Sequence, residues 1–265
     1  MKSGGSILLV WLLTFPSLGF CAEGNSHMNR FHELMDREFE EMKLFASTGK
    51  IKFGHGIASA VHMHEDTHHW LEKTPSQPQG PFYPIDFPFD TDNDLTYVPV
   101  LPKALGTVVY IQGQVMDQSG EVVAGAEVEI WQACASGKYA HPRDRNPAPI
   151  DPNFQYYGRA TSDAHGKYMF KTIIPGPYPA NDTWWRPEHI HMMVSKDEFK
   201  PLTTQLYFDG SSFPNNASVG KYNSTDLILQ SLTEEQQKQL IVSFMPREEL
   251  DGDRLGVFNI YLERD

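Results

Sequence analysis

TVVYIQGQVMDQSGEVVAGAEVEIWQA, residues 107–133, decides the fold class. Its two ends, TVVYIQGQV and AEVEIWQA, are rich in Val, Ile, Tyr and Trp, and DQSGE between them is turn chemistry. That pattern predicts two half-buried strands joined by a tight connection. The same reading extends downstream to KYMFKTI (167–173), HIHMMVS (189–195), LTTQLYF (202–208) and GVFNIYLE (256–263), each bounded by Gly, Pro, Asn or Asp. Upstream the period changes. Phe31, Met35, Phe39, Met42 and Phe45 recur at three- to four-residue spacing, which predicts an amphipathic helix over 29–48. Residues 50–79 are less regular and run into the turn-rich TPSQPQGPFYP (74–84). A late helix is predicted over 234–244, with Thr233 as N-cap and Gln236 closing a capping box. The expectation is a mainly β protein: a β-sandwich core over 80–265, a short helical or irregular N-terminal segment over 23–79, and one late helix.

Composition narrows the function classes. Of 265 residues, 40% are hydrophobic and 12% aromatic, too much core material for a disordered chain. Asp and Glu number 34 against 22 Lys and Arg, a formal net charge of −12. Such a chain repels phosphate backbones and carries no basic stripe to offset that, so nucleic acid is not expected as a partner. Lys2, the apolar run Ile7–Phe15, the helix breaker Pro16 and small or apolar residues to Ala22 read as a secretory signal peptide over 1–22. The run is too short to span a bilayer comfortably, so a secreted, extracellular protein without membrane contact after cleavage is expected. Cys21 would leave with the leader, and Cys134, at the end of an apolar strand, reads as a small core residue. Asn181, Asn216 and Asn223 each begin an Asn-x-Ser/Thr glycosylation acceptor.

His189-Ile190-His191 carries the chemistry. On a strand, residues two apart share a face, so both imidazoles can reach one ion. Upstream lie Gly176-Pro177-Tyr178-Pro179, where two prolines stiffen the backbone around a tyrosine, and Tyr139 in the polar loop GKYAHPRD (137–144). A phenol with pKa near 10 ligates only where a strongly charged cation removes its proton. Two phenolates with two imidazoles suit hard, trivalent iron better than Zn(II) or Fe(II).

Taken together, TPSQPQGPFYP, GAEVEIWQA, GKYAHPRD, DPNFQYYGRATSDAHGKYMFKTIIPGPYP (151–179), WRPEHIH (185–191) and TTQLYFDG (203–210) resemble the intradiol ring-cleavage dioxygenases, most of all the protocatechuate 3,4-dioxygenase group. The resemblance spans roughly residues 74–210. It implies a β-sandwich catalytic core with non-haem Fe(3+) held by Tyr139, Tyr178, His189 and His191. It further implies a catecholic substrate and O2, cleavage between the two hydroxylated carbons, and a cis,cis-muconate-type product. Tyr178 corresponds to the tyrosinate that substrate displaces, Arg186 to the arginine beside the bound catecholate, and Gln205 to a polar active-site glutamine. Ala180 follows Tyr178-Pro179 where that group commonly has Trp, which implies a reshaped pocket tolerant of bulkier catechols.

Other readings stay open at this level. A non-catalytic β-sandwich binding module would need none of these four residues. His64-Glu65-x-x-His68 has zinc-peptidase spacing, but no third ligand follows at a recognised interval. A cupin-type site would need Glu four or five residues after the second His, and Glu198 lies seven after His191. Tyr83 lines a mouth or packs a turn. Tyr156, Tyr157 and Trp185 read as pocket wall or core, Arg186 has an alternative as a surface ion pair, and Gln205 as a solvent-facing strand residue.

Overall fold

The computed structural model describes residues 71–250 and 253–265. The predicted leader, the 29–48 helix, Cys21 and the His62–His69 cluster with its zinc-peptidase spacing lie outside the described residues.

The chain is mainly β. It runs through β1 (Val108–Asp117), β2 (Glu127–Trp131), β3 (Tyr157–Thr161), β4 (Lys167–Ile173), β5 (Tyr178–Pro179), β6 (Trp185–Arg186), β7 (His189–Ser195) and β8 (Leu202–Phe208). Helix α1 (Glu234–Leu240), β9 (Ile241–Val242), β10 (Phe244–Pro246), β11 (Arg254–Val257) and β12 (Ile260–Leu262) follow. One five-stranded sheet is built on β1, with antiparallel β4 at one side, parallel β11 and β12 along it, and β10 outside β11. The second has the order β3-β2-β7-β8-β9, and β5 with β6 forms a separate two-stranded ribbon. Among the described residues no helix is long and apolar enough to cross a membrane.

Alternation assigns the faces. Val109, Ile111 and Val115 of β1, Phe170 of β4, Val128 and Ile130 of β2, and Ile190, Met192 and Val194 of β7 fill one apolar cluster between the sheets. Every second residue of β2 and β7 therefore points away from that core. Cys134 is buried and free, as expected of a core thiol.

Two boundaries differ from the sequence reading. GVFNIYLE is not one strand: β11 pairs with Val109–Gln112 and β12 with Val115–Asp117, and Phe258-Asn259 crosses between them. Gly113 makes this crossing possible, because a Cβ there would lie 1.8 Å from the Phe258 carbonyl oxygen. The late helix ends at Leu240 rather than 244. Thr233 and Gln236 form the expected capping box, but Ile241-Val242 turn extended and pair with Tyr207-Phe208. A β-branched pair offered a sheet edge leaves the helix for it.

Candidate active site

The site lies on the outer face of the second sheet. Tyr157, Trp131, His191 and Gln205 stand directly opposite one another across β3, β2, β7 and β8, and His189 stands opposite Tyr207. Since side chains alternate with a period of two, this row and the His189–Tyr207 pair share one face.

Two connections bring phenols over this face. The loop after β2 carries Tyr139, whose N–H donates to Asp144 Oδ2 at 2.7 Å; the same carboxylate accepts from Asn146 N at 2.8 Å. Lys138 Nζ ties the loop further through the carbonyls of Asp144 and Asn146. Tyr178 sits on the β5–β6 ribbon, paired with Arg186. The four rings close a circuit, with centroids 5.7 Å apart for Tyr139 and Tyr178, 5.7 Å for Tyr178 and His189, 4.9 Å for His189 and His191, and 6.4 Å for His191 and Tyr139. All four side chains are buried.

Three polar atoms of this circuit are left unsatisfied. His189 Nδ1 donates to the Pro187 carbonyl at 2.7 Å, which fixes the tautomer and leaves Nε2 a lone-pair donor. His189 Nε2, His191 Nδ1 and Tyr139 Oη are buried without a hydrogen-bond partner. Such atoms are costly unless something occupies the space they face, and two imidazole nitrogens with phenolic oxygens are a donor set for a hard metal ion. Burial, then the nearby Arg186 charge, holds His189 well below the ordinary histidine range and pushes His191 down to about 3, so both imidazoles are neutral and able to ligate. Burial also raises Tyr139 and Tyr178, with Arg186 opposing the shift. Tyr178 lies close enough to add to the rise at Tyr139 without making it a hydrogen bond of ordinary geometry. A strong cation is thus needed to draw off the phenolic protons. Among the described residues no three His, Cys, Asp or Glu side chains come together, so the mixed Tyr/His circuit is the metal-type donor set of this region.

A second layer holds the first. The Trp131 ring stacks on His191 at 4.9 Å and 7°, and Gly80, at φ +72°, lies so close that a Cβ there would be 3.2 Å from His191 Cε1. Tyr83 meets Trp131 edge-on at 4.9 Å, and the hydroxyls of Tyr83 and Tyr157 both donate to Glu129 Oε2 at 2.7 Å. Phe82 packs on Tyr139 at 4.7 Å and stands 6.3 Å from Tyr178. Trp185 is exposed and stacks on Tyr222, and Tyr156 packs against the apolar core.

Arg186 and Gln205 are both buried rather than solvent-facing. Arg186 Nη2 donates to Gln205 Oε1 at 2.6 Å and Arg186 Nε to Asp226 Oδ1 at 2.9 Å, while Gln205 Nε2 donates to the Pro78 carbonyl at 2.8 Å. Three members of this network were not anticipated from sequence: Asp226, Tyr207 and Gln77. Tyr207 had a usable signal, since it lies two residues after Gln205 on one strand. Asp226, in a turn-rich stretch, had none.

The family described as dioxygenase (Dioxygenase_C) matches residues 79–247. The chain belongs to the intradiol ring-cleavage dioxygenases. It is 34% identical over 218 residues to the protocatechuate 3,4-dioxygenase beta chain of Burkholderia cepacia, covering 76% of this chain and 89% of that one. It is 30% identical over 187 residues to a chlorocatechol 1,2-dioxygenase of Pseudomonas sp. (strain P51), covering 63% of this chain and 68% of that one. The fold resembles the crystal structure of 3-chlorocatechol 1,2-dioxygenase from Rhodococcus opacus 1CP, with a TM-score of 0.57 at 23% identity over 74% of each chain. This intradiol enzyme thus carries His189 and His191 on one outer sheet face, with Tyr139 and Tyr178 brought over it by a loop and the ribbon.

Proposed function

We propose that the protein is a secreted, Fe(III)-dependent dioxygenase that cleaves catechol-type rings between the two hydroxylated carbons with O2, giving cis,cis-muconate-type products. One observation carries the reading: Tyr139, Tyr178, His189 and His191 form a closed, buried circuit in which His189 Nε2, His191 Nδ1 and Tyr139 Oη lack hydrogen-bond partners, in a chain related to protocatechuate and chlorocatechol dioxygenases. Those four side chains would hold the iron. When bound, the ferric ion supplies the redox chemistry that lets the catecholate ring react with O2.

The chain's own residues supply the rest. His189, locked by its bond to the Pro187 carbonyl, and His191, held flat by Trp131, are fixed ligands. Tyr178 sits on a short ribbon rather than in the main sheet, and its Oη, deprotonated when it holds the iron, would take a proton from the incoming diol. Arg186, on the opposing strand of that ribbon, brings positive charge to where negative charge develops on the substrate. Gln205 keeps the guanidinium in the pocket. Phe82 and the burial of all four ligands exclude water. Ala180 lies exposed at the ribbon turn, which supports tolerance for substituted catechols.

The purified protein is expected to be red-brown from phenolate-to-iron charge transfer, and to take up one O2 per catechol with a product mass of substrate plus two oxygen atoms. Colourless, iron-free protein without oxygen uptake overturns the reading. Comparing kcat/KM for catechol, protocatechuate and caffeic acid tests substrate breadth, and activity confined to the smallest ring removes it. Secretion rests on the 1–22 leader pattern and is supported by the exposed acceptors Asn181 and Asn216; the Asn223 amide is instead spent on the Phe208 carbonyl. Expression with the native leader should yield medium-borne protein starting near residue 23. Retention of Met1 in a cell-bound product overturns that part.

A further inference from the structure

We propose that Asp226 is the positioning residue that aims Arg186 and balances its charge, and that turnover depends on it through Arg186 alone. The inference rests on the ring-cleavage reading above.

Asp226 is fully buried and enters the site from the stretch between two short 3-10 turns, Asn223–Thr225 and Leu229–Ser231. Its Oδ1 accepts from Arg186 Nε at 2.9 Å and from Trp184 Nε1 at 3.0 Å. Its Oδ2 accepts from Leu229 N at 3.0 Å and faces Tyr207 Oη at 3.5 Å. The carboxylate is therefore anchored to backbone on one side and to the guanidinium on the other. Arg186 is gripped at a second corner, where Nη2 meets Gln205 Oε1 at 2.6 Å and Tyr207 Oη at 3.3 Å. Tyr207 is itself set by donation to Gln77 Oε1 at 2.9 Å, and the Trp184 ring stands 5.7 Å from the guanidinium carbon.

A guanidinium is a rigid planar fork, so fixing Nε and Nη2 fixes the direction of every other N–H on it. Bonding to Asp226 at Nε and to Gln205 at Nη2 thus decides which way the charge points. A buried cation without a counter-charge is also strongly destabilising, and Asp226 is its ion-pair partner at 5% and 0% side-chain exposure. Gln205 and Tyr207 are neutral and cannot replace that charge. Arg186 lies beside Tyr178 on the ribbon, so a guanidinium that swings misses the reacting ring without leaving the pocket.

The test uses the full-length iron-loaded enzyme with catechol. Asp226→Asn keeps size and one acceptor oxygen but removes the charge. It is expected to fold, to keep its visible iron band, to hold KM within about threefold and to lose kcat about 10- to 100-fold. Placed on Arg186→Ala, the same change is expected to cost no more than a further twofold, because the residue through which it acts is gone. In the iron-free proteins, each single variant is expected to melt below the double variant, the mark of a charge left without its partner. Asp226→Asn turnover within twofold of wild type, an undiminished penalty on top of Arg186→Ala, strictly additive melting shifts, or an Asp226→Asn protein that does not fold each overturn the proposal. An inactive wild-type enzyme tells instead against the ring-cleavage reading.

Discussion

The two faces of the second sheet are made by the same strands and obey opposite rules. Inward, the side chains of Val128 and Ile130 of β2 and Ile190, Met192 and Val194 of β7, none of which carries a polar atom, meet the first sheet in an apolar core. Outward, one residue over, stand Trp131, His189 and His191, with buried nitrogen atoms left unpaired. The inner face is built for burial, and the outer presents nitrogen atoms suited to a ligand. Stability and chemistry are therefore separable at single-residue resolution along β7.

The largest expected effect comes from adjacent substitutions there. His191→Ala should lose the iron colour and at least about a thousandfold in turnover, while the iron-free protein unfolds within about 1–2 kcal/mol of wild type, since a buried nitrogen without a partner is removed with the ring. Ile190→Ala should do the reverse: about 2–5 kcal/mol lost by urea unfolding at a fully buried position, with colour and near-normal kcat in the folded protein. If Ile190→Ala bleaches the enzyme at unchanged stability, the two faces are not separable.

This division explains what was legible in the sequence. KYMFKTI, HIHMMVS and LTTQLYF coincide with β4, β7 and β8 residue for residue, because alternation against a core is a local signal. β3 went unmarked, since its inward positions, opposite Ile130 and Val128, are only Gly158 and Ala160, too small to show an apolar period. The break in GVFNIYLE depends on Gly113, about 145 residues away in sequence, and the end of α1 depends on an open edge at β8. In the site, the paired histidines show in the strand period and the two tyrosines through family resemblance. Asp226 shows in neither, because its role comes from a tertiary meeting with Arg186.

A middle-sized effect probes how the outer face is held. His189 is oriented by a hydrogen bond, whereas His191 has none at Nδ1 and is held by contact, with Trp131 stacked on it and Gly80 packed against its edge. Gly80→Ala adds a methyl 3.2 Å from Cε1 at φ +72°, a conformation costing a non-glycine residue about 1–2 kcal/mol. The ring must give by a few tenths of an ångström. Turnover is expected to fall about tenfold with iron retained but more readily lost to a chelator. Unchanged kcat and chelator resistance would show that contact does not position His191.

The smallest effect sharpens the same boundary one layer further out. Tyr83 meets the Trp131 ring edge-on, and its hydroxyl shares Glu129 Oε2 with that of Tyr157. Burial, then the Glu129 carboxylate, raises the Tyr83 phenol, so it stays protonated and donates across the working pH range. Tyr83→Phe keeps the ring against Trp131 and removes one of two hydrogen bonds to a carboxylate 7% exposed. The remaining Tyr157 bond and the partial exposure of Tyr83 limit the cost to about 1 kcal/mol by urea unfolding. Because Trp131 does not move, His191 does not, and kcat and the visible band are expected within twofold of wild type. A tenfold loss of kcat at unchanged stability would place Glu129 and its two phenols in the reacting layer rather than the supporting one, and the outer face would then be deeper than the ligand circuit alone.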